Sequence, residues 1–96
     1  EEEQIIRRDE DSWLIDGATP LEDVKRALDI EAFPHDENYE TIAGFMMYML
    51  RKIPKKTDFV LFDRYKFEII DTENFKIDQL MVSFRKDLPQ EETTIN

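Results

Sequence analysis

Apolar residues recur along this chain with two different periods. Ile42, Phe45, Met46, Met49 and Leu50 stand at the spacing i, i+3, i+4, i+7, i+8, which is a full stripe along one helix face. Toward the C-terminus the period changes: Leu80, Val82 and Phe84 share one face against Met81, Ser83 and Arg85, as in a strand. The same reading predicts strands over 4–8 and 12–16 around the acidic turn Asp9-Glu10-Asp11, and further strands over 58–62, 65–71 and 75–85. The turns Asp63-Arg64 and Asp71-Thr72-Glu73-Asn74 make the last three a meander.

Local turn chemistry sharpens the boundaries. Gly17 supplies a backbone conformation that side chains resist, and Thr19-Pro20-Leu21-Glu22 combines an N-cap, a proline at the first helical position and a capping-box glutamate. A first helix therefore starts at Pro20 and ends near Leu28 or Asp29, with Leu21, Val24 and Leu28, and Ala27 beside them, as a narrow buried stripe. Phe33-Pro34 forces an extended loop with one apolar anchor, and Pro54 closes the second helix. Gly44 inside that helix costs roughly 1 kcal/mol relative to alanine, so a strand or helix is expected to cross very close to it. Together these elements predict an α+β domain over 4–86, with two helices packed on one face of a mostly antiparallel sheet of about five strands. Residues 87–96 lack apolar periodicity and are expected to be a disordered tail.

Charge and composition narrow the function. In 96 residues, 23 Asp and Glu against 13 Lys and Arg give a net charge of −10, which disfavours nucleic acid and anionic lipid as partners. The densest basic group, Arg51, Lys52, Lys55 and Lys56, reads as the solvated end of a helix. With no cysteine there is no disulfide, thiolate metal site or cysteine nucleophile. No apolar run reaches the ~20 residues of a membrane-spanning helix, so no direct membrane insertion is expected, and the start at Glu1-Glu2-Glu3 suggests a piece of a longer protein.

Candidate chemistry is sparse. His35 beside Asp36 and Glu37 suggests a histidine–carboxylate metal site, but a lone loop histidine is more simply solvated. The acidic groups Asp9-Glu10-Asp11 and Asp36, Glu37 and Glu40 offer hard oxygen ligands without EF-hand spacing, and acidic turns are common for solvation alone. The only two glycines, Gly17 and Gly44, form no phosphate-binding turn. The aromatic residues and the cluster Met46, Met47 and Met49 read as core filling first. Ser12 and Ser83 have no base partner, so no catalytic residue, cofactor or metal ligand is assigned and no enzyme is expected.

Four short signatures in a fixed order remain: Ile15-Asp16-Gly17, Phe33-Pro34, Tyr39 to Gly44, and Lys52-Ile53-Pro54 with Asp58 after it. This order resembles the transporter-associated domain at the C-terminus of CorC and HlyC type proteins, over nearly the whole chain. On that resemblance the residues to watch are Gly17, Pro34, Thr41, Gly44, Ile53, Pro54 and Asp58. Arg51 and Thr57 depart from it, standing where the family often has glycine, and their turns are expected to take conformations an L-residue tolerates. The resemblance implies a fold shared with part of certain flavin-binding oxidoreductases, without a ligand carried over. It also implies a cytoplasmic accessory or regulatory domain of a CBS-domain membrane ion transporter of the magnesium and cobalt efflux or hemolysin-like kind. Expected partners are the CBS and membrane domains of the same polypeptide, or a second copy. Docking across a sheet edge, or through apolar surface around Trp13 and Met47, is the expected mechanism. The alternative is a small-ligand sensor for a nucleotide, flavin or divalent cation, which a deep preformed cavity would favour.

Overall fold

A computed structural model describes residues 3–85 and 93–95. Two strands open the chain, β1 (Ile5–Asp9) and β2 (Ser12–Asp16), followed by the helix α1 (Leu21–Leu28). A short 3-10 turn, Asp36–Asn38, precedes α2 (Ile42–Leu50). The meander β3 (Phe59–Phe62), β4 (Tyr65–Glu73) and β5 (Lys76–Phe84) follows, then β6 (Thr93–Ile95). The sheet order is β1-β2-β5-β4-β3-β6 and every neighbouring pair is antiparallel. This is the expected α+β arrangement of two helices on an antiparallel sheet, with five strands plus the short β6.

Alternation of side chains decides what the helices cover. Ile15, Leu80, Val82, Phe67, Ile69 and Val60 are buried against Val24, Leu28, Ile42, Phe45 and Met46. Phe45 sits at the aromatic centre, with ring centroids 4.8 Å from Phe33, 5.3 Å from Phe67 and 5.9 Å from Phe62. The loop residue Phe33 is thus the apolar anchor of the connection, 3% exposed.

Several local expectations change. Helix α1 starts at Leu21 with an extended Pro20 as its N-cap and no side-chain cap. The Thr19 hydroxyl donates instead to the Asp16 carbonyl at 2.6 Å, and Glu22 pairs with Lys25 at 3.4 Å, so the capping box does not form. Ala27 is exposed. Strand β5 begins at Lys76 because Asn74 and Phe75 both lie at positive φ, 53° and 66°, in the two-residue turn between Glu73 and Lys76. Asp63 and Arg64 (53° and 69°) repeat that geometry between β3 and β4, a turn type that usually recruits Asn-Gly.

The expected tail is corrected over Thr93–Ile95, which pairs with β3 from Val60 to Phe62. Three consecutive β-branched residues suit an extended partner for an otherwise open strand edge. Residues 87–92 and 96 of that tail, and residue 86 before it, lie outside the described residues.

Candidate functional site

The signature residues gather at two joints. The first is the N-terminus of α2, where the backbone N–H groups are taken by the protein itself. Ile42 N donates to the Thr19 carbonyl at 3.0 Å, Ala43 N to the Gly17 carbonyl at 2.9 Å and Phe45 N to the Thr41 carbonyl at 3.0 Å. Gly44 N donates to the Thr41 hydroxyl at 3.1 Å, which makes Thr41 a side-chain N-cap. With these donors engaged, the helix start is a structural joint and not an anion cradle.

Both glycines serve this joint through contact. Neither has positive φ, contrary to the expectation for Gly17. A Cβ on Gly17 would collide with the Ile77 carbonyl oxygen of β5 and approach the Ala43 Cβ to 3.3 Å. Gly17 therefore lets β2, β5 and α2 meet. At Gly44 the close neighbour is neither a strand nor a helix: a Cβ would lie 2.9 Å from the Cβ of Tyr39, in the chain entering the helix. Tyr39 in turn donates its hydroxyl to the Pro34 carbonyl, which places Pro34 at the same joint. Burial pushes the Tyr39 phenol well above its ordinary value, with the nearby Asp36, Tyr48 and Glu37 adding to it.

The second joint closes the loop after α2. Arg51 is the left-handed C-cap at φ 56° and Thr57 lies at φ 76°. Both keep the conformation a glycine would adopt at no cost, contrary to the expectation that these turns would relax. Asp58 is buried and central: its carboxylate accepts from Lys55 N at 2.9 Å and pairs with the Lys52 ammonium at 3.3 Å. Its carbonyl accepts Ile69 N at 2.9 Å, which fixes the loop to β4. Pro54 is buried, whereas Ile53 is 61% exposed.

The acidic groups are engaged in local structure. Asp9 accepts from Asp11 N at 2.8 Å and from the Ser12 hydroxyl at 2.9 Å, and these hydrogen bonds, the Asp11 backbone first, hold its carboxyl below the usual range. Asp36 lies 3.7 Å from the Lys25 ammonium, and the His35 ring rests 5.7 Å from Tyr48. Among the described residues, no three His, Asp or Glu side chains converge as metal ligands. Clefts are surface features, such as one of about 480 Å³ lined by Glu3, Ile6, Leu14, Asp16, Asp78 and Gln79.

Trp13 belongs to the core side: it is half-buried, edge-on to Tyr65 at 5.9 Å and under the Arg7 guanidinium at 5.7 Å. Met47 remains 43% exposed on α2. A larger apolar field, unforeseen from the sequence, lies on the sheet face turned away from the helices. The pairs Ile6 with Leu14, Leu14 with Met81, Met81 with Glu68 and Glu68 with Phe59 form one rung across five strands, and Leu61 flanks it opposite Lys66. The sequence signal was present as unbroken apolar runs, Ile5-Ile6, Trp13-Leu14-Ile15 and Phe59-Val60-Leu61-Phe62, which put apolar groups on both faces of a strand.

These joints are the places where the recognised signatures fall, and residues 6–86 match the family described as a transporter associated domain, CorC_HlyC. The chain belongs to that family. It is 74% identical over 87 residues to the polyamine export protein of Haemophilus influenzae, a match covering 91% of this chain and 20% of that relative. A CorC_HlyC domain from Haemophilus ducreyi, solved as a crystal structure, is 86% identical with a TM-score of 0.74, over 85% of this chain and 98% of that one. The domain of a Xylella fastidiosa hemolysin, solved in complex with Mg and Mn, is 28% identical with a TM-score of 0.76, over 85% of this chain and 98% of that one. The chain thus spans about a fifth of the length of the curated relatives it matches. Among the described residues no helix is long and apolar enough to cross a membrane.

Proposed function

We propose that this chain is the accessory, regulatory domain of a membrane transporter, lying on the cytoplasmic side and acting by docking on the CBS and membrane domains of its own polypeptide. The observation that carries this reading is a sheet face bearing Ile6, Leu14, Met81, Phe59 and Leu61 over which no described helix lies, on a domain whose core is filled and whose signature residues, Ile53 apart, serve internal joints. A surface, and not a reaction centre, is what such a molecule has to offer. The 74% identity to a polyamine export protein favours an organic polycation as the cargo of the whole transporter, over the magnesium or cobalt that the family resemblance implied. Domain limits at 4–86 accompany this proposal. The test is to express the domain separately from the rest of the transporter and measure binding between the parts, together with export by the truncated transporter. Docking predicts association in trans and altered export. No association, with export unchanged on removal, sinks the reading.

One observation keeps the sensor reading alive: a relative has been solved in complex with Mg and Mn. Thermal unfolding against Mg, Mn, spermidine, ATP and flavin separates the two. A specific ligand at 100 times its dissociation constant adds about 2.7 kcal/mol and saturates, whereas screening of the −10 charge tracks ionic strength and does not.

A further inference from the structure

We infer that the tip of the β4–β5 hairpin is a docking finger with the Phe75 ring as its anchor, and that its occupant is an apolar pocket with a cationic rim elsewhere in the same polypeptide. This inference rests on the docking reading above and gives it a contact point and a partner chemistry.

Phe75 is the most exposed of the large apolar residues described, at 73%. It also sits at φ 66°, a region that bulky side chains avoid. A phenyl ring in that place relieves no backbone strain and buries little apolar area, so folding alone gives no reason for it. The turn geometry does not require one either, since the equivalent turn between β3 and β4 carries the polar pair Asp63-Arg64. An aromatic side chain held open on a strained backbone has the character of a recognition residue, whose area is buried only against a partner.

The hairpin carries the ring clear of the sheet. β3 pairs with β4 only as far as Glu68, and β2 pairs with β5 only from Gln79, whereas the β4–β5 ladder runs on to Glu73 and Lys76. Among the described residues, the last backbone ties to neighbouring segments are those of Ile69 to Thr57 and Asp58, and of the Asp78 carbonyl to Gly17 N. Strand spacing then places Phe75 roughly 10 Å beyond Asp78. Register shifts between Ile69 and Thr72 bend the hairpin where it leaves the sheet, and Glu73, Asn74, Phe75 and Lys76 are all exposed.

Charge sets the chemistry of the partner. The finger carries Asp71, Glu73 and Asp78 against Lys76, with the Lys56 ammonium 3.8 Å from Asp71, and Glu3 and Asp16 line the adjoining cleft beside Asp78. An apolar anchor among excess carboxylates, on a chain of net charge −10, calls for an apolar pocket rimmed by cations. The same carboxylates turn the finger away from an anionic lipid surface. A second copy is a poor occupant too, because it carries the same −10 charge and offers acid-lined clefts such as this one. One aromatic anchor holds when it is tethered to its pocket, since a linker raises the effective concentration to the millimolar range. The relatives offer such a tether, because this domain makes up about a fifth of their length.

The absence of cysteine permits a direct test. Lys76→Cys beside the ring, Glu10→Cys at the β1–β2 turn, Ser83→Cys on the open sheet face and Met47→Cys on α2 are each labelled with a maleimide. The free domain is a unit solved on its own from Haemophilus ducreyi, with 98% of that chain matched here. It is compared with the same domain fused, in place of its matching segment, to the cysteine-free remainder of the Haemophilus influenzae relative. Lys76→Cys is expected to label roughly tenfold more slowly in the longer chain, with Glu10→Cys unchanged. Adding Phe75→Gly is expected to restore the fast rate while raising the melting temperature of the free domain, since glycine adopts φ 66° freely. Glu73→Lys and added salt are each expected to weaken the protection. Slowing confined to Ser83→Cys or Met47→Cys keeps docking and overturns the finger, while equal rates at every position remove docking itself. Protection that survives Phe75→Gly overturns the anchor, and protection indifferent to Glu73→Lys and salt overturns the cationic rim. A fall in melting temperature with Phe75→Gly assigns the ring to the fold and overturns the inference. So does slowing of the free domain by phosphatidylglycerol vesicles, which assigns the tip to a bilayer, or slowing that grows with its own concentration, which assigns it to a second copy.

Discussion

Gly17 has an ordinary backbone conformation, so what bars a side chain there is a neighbour and not a dihedral angle. Its missing Cβ makes room for the Ile77 carbonyl, a backbone atom of a central strand that has little freedom to retreat. Gly17→Ala is therefore expected to cost about 3 kcal/mol, the upper end of overpacking penalties, read as a lowered urea midpoint. The opposite expectation holds at Thr57, a β-branched residue at φ 76° whose backbone N–H donates to the Ile69 carbonyl at 2.9 Å. Thr57→Gly keeps that hydrogen bond and releases the strain, so it is expected to stabilise the domain by about 1 kcal/mol in the same measurement. A loss of stability there would mean that the Thr57 side chain earns more than its backbone strain. The sequence shows that Gly17 follows an apolar strand, but the reason for the glycine lies in β5, far along the chain. Only the assembled sheet reveals it.

At the scale of elements, nearly identical local signals had opposite outcomes. Thr41 and Thr19 each precede a helix with N-cap chemistry, yet Thr41 caps and Thr19 does not. Thr19 is fully buried at the joint, its carbonyl accepting Ile42 N and its hydroxyl donating to the Asp16 carbonyl, so tertiary contacts displace the local motif. Thr41→Ala is expected to destabilise by about 1 kcal/mol and Thr41→Ser to be near neutral, because serine offers the same acceptor to Gly44 N. Equal losses for both substitutions would point to methyl packing as the role of Thr41. The elements themselves were legible because each has a period, and α2 was the clearest, with its stripe from Ile42 to Leu50. Their faces were less so. Strands that are apolar on both sides, such as Phe59–Phe62, do not declare which side the helices will take. Likewise the alternation that predicts β5 cannot foresee that Thr93–Ile95 returns to flank β3.

At the scale of the whole molecule, one buried phenol ties a helix to the sheet and a second closes the loop that leads into α2. Tyr65, on β4, donates to the Leu28 carbonyl at the end of α1 at 2.7 Å, and Tyr39 donates to the Pro34 carbonyl in the loop before α2. Burial raises both above their ordinary value, with Asp63 and Asp29 adding to the effect at Tyr65, and Asp36, Tyr48 and Glu37 at Tyr39. A folded-state pKa above the unfolded one means that the unfolded chain loses these protons first. The stability they supply is complete below about pH 10, the unfolded value, and falls as pH rises through the folded values. The domain is therefore expected to melt at progressively lower temperature above about pH 10, in a chain whose net charge of −10 also sets up self-repulsion. Tyr65→Phe separates the two causes. At neutral pH it leaves the buried Leu28 carbonyl without its donor and costs roughly 1–3 kcal/mol. Above pH 10 it removes one titrating phenol and leaves the charge repulsion intact, so its melting temperature should fall less steeply with pH than that of the parent chain. Parallel slopes for the two proteins would assign the alkaline loss to overall repulsion and leave the Tyr65 bond as a tie between α1 and the sheet with no part in the pH response.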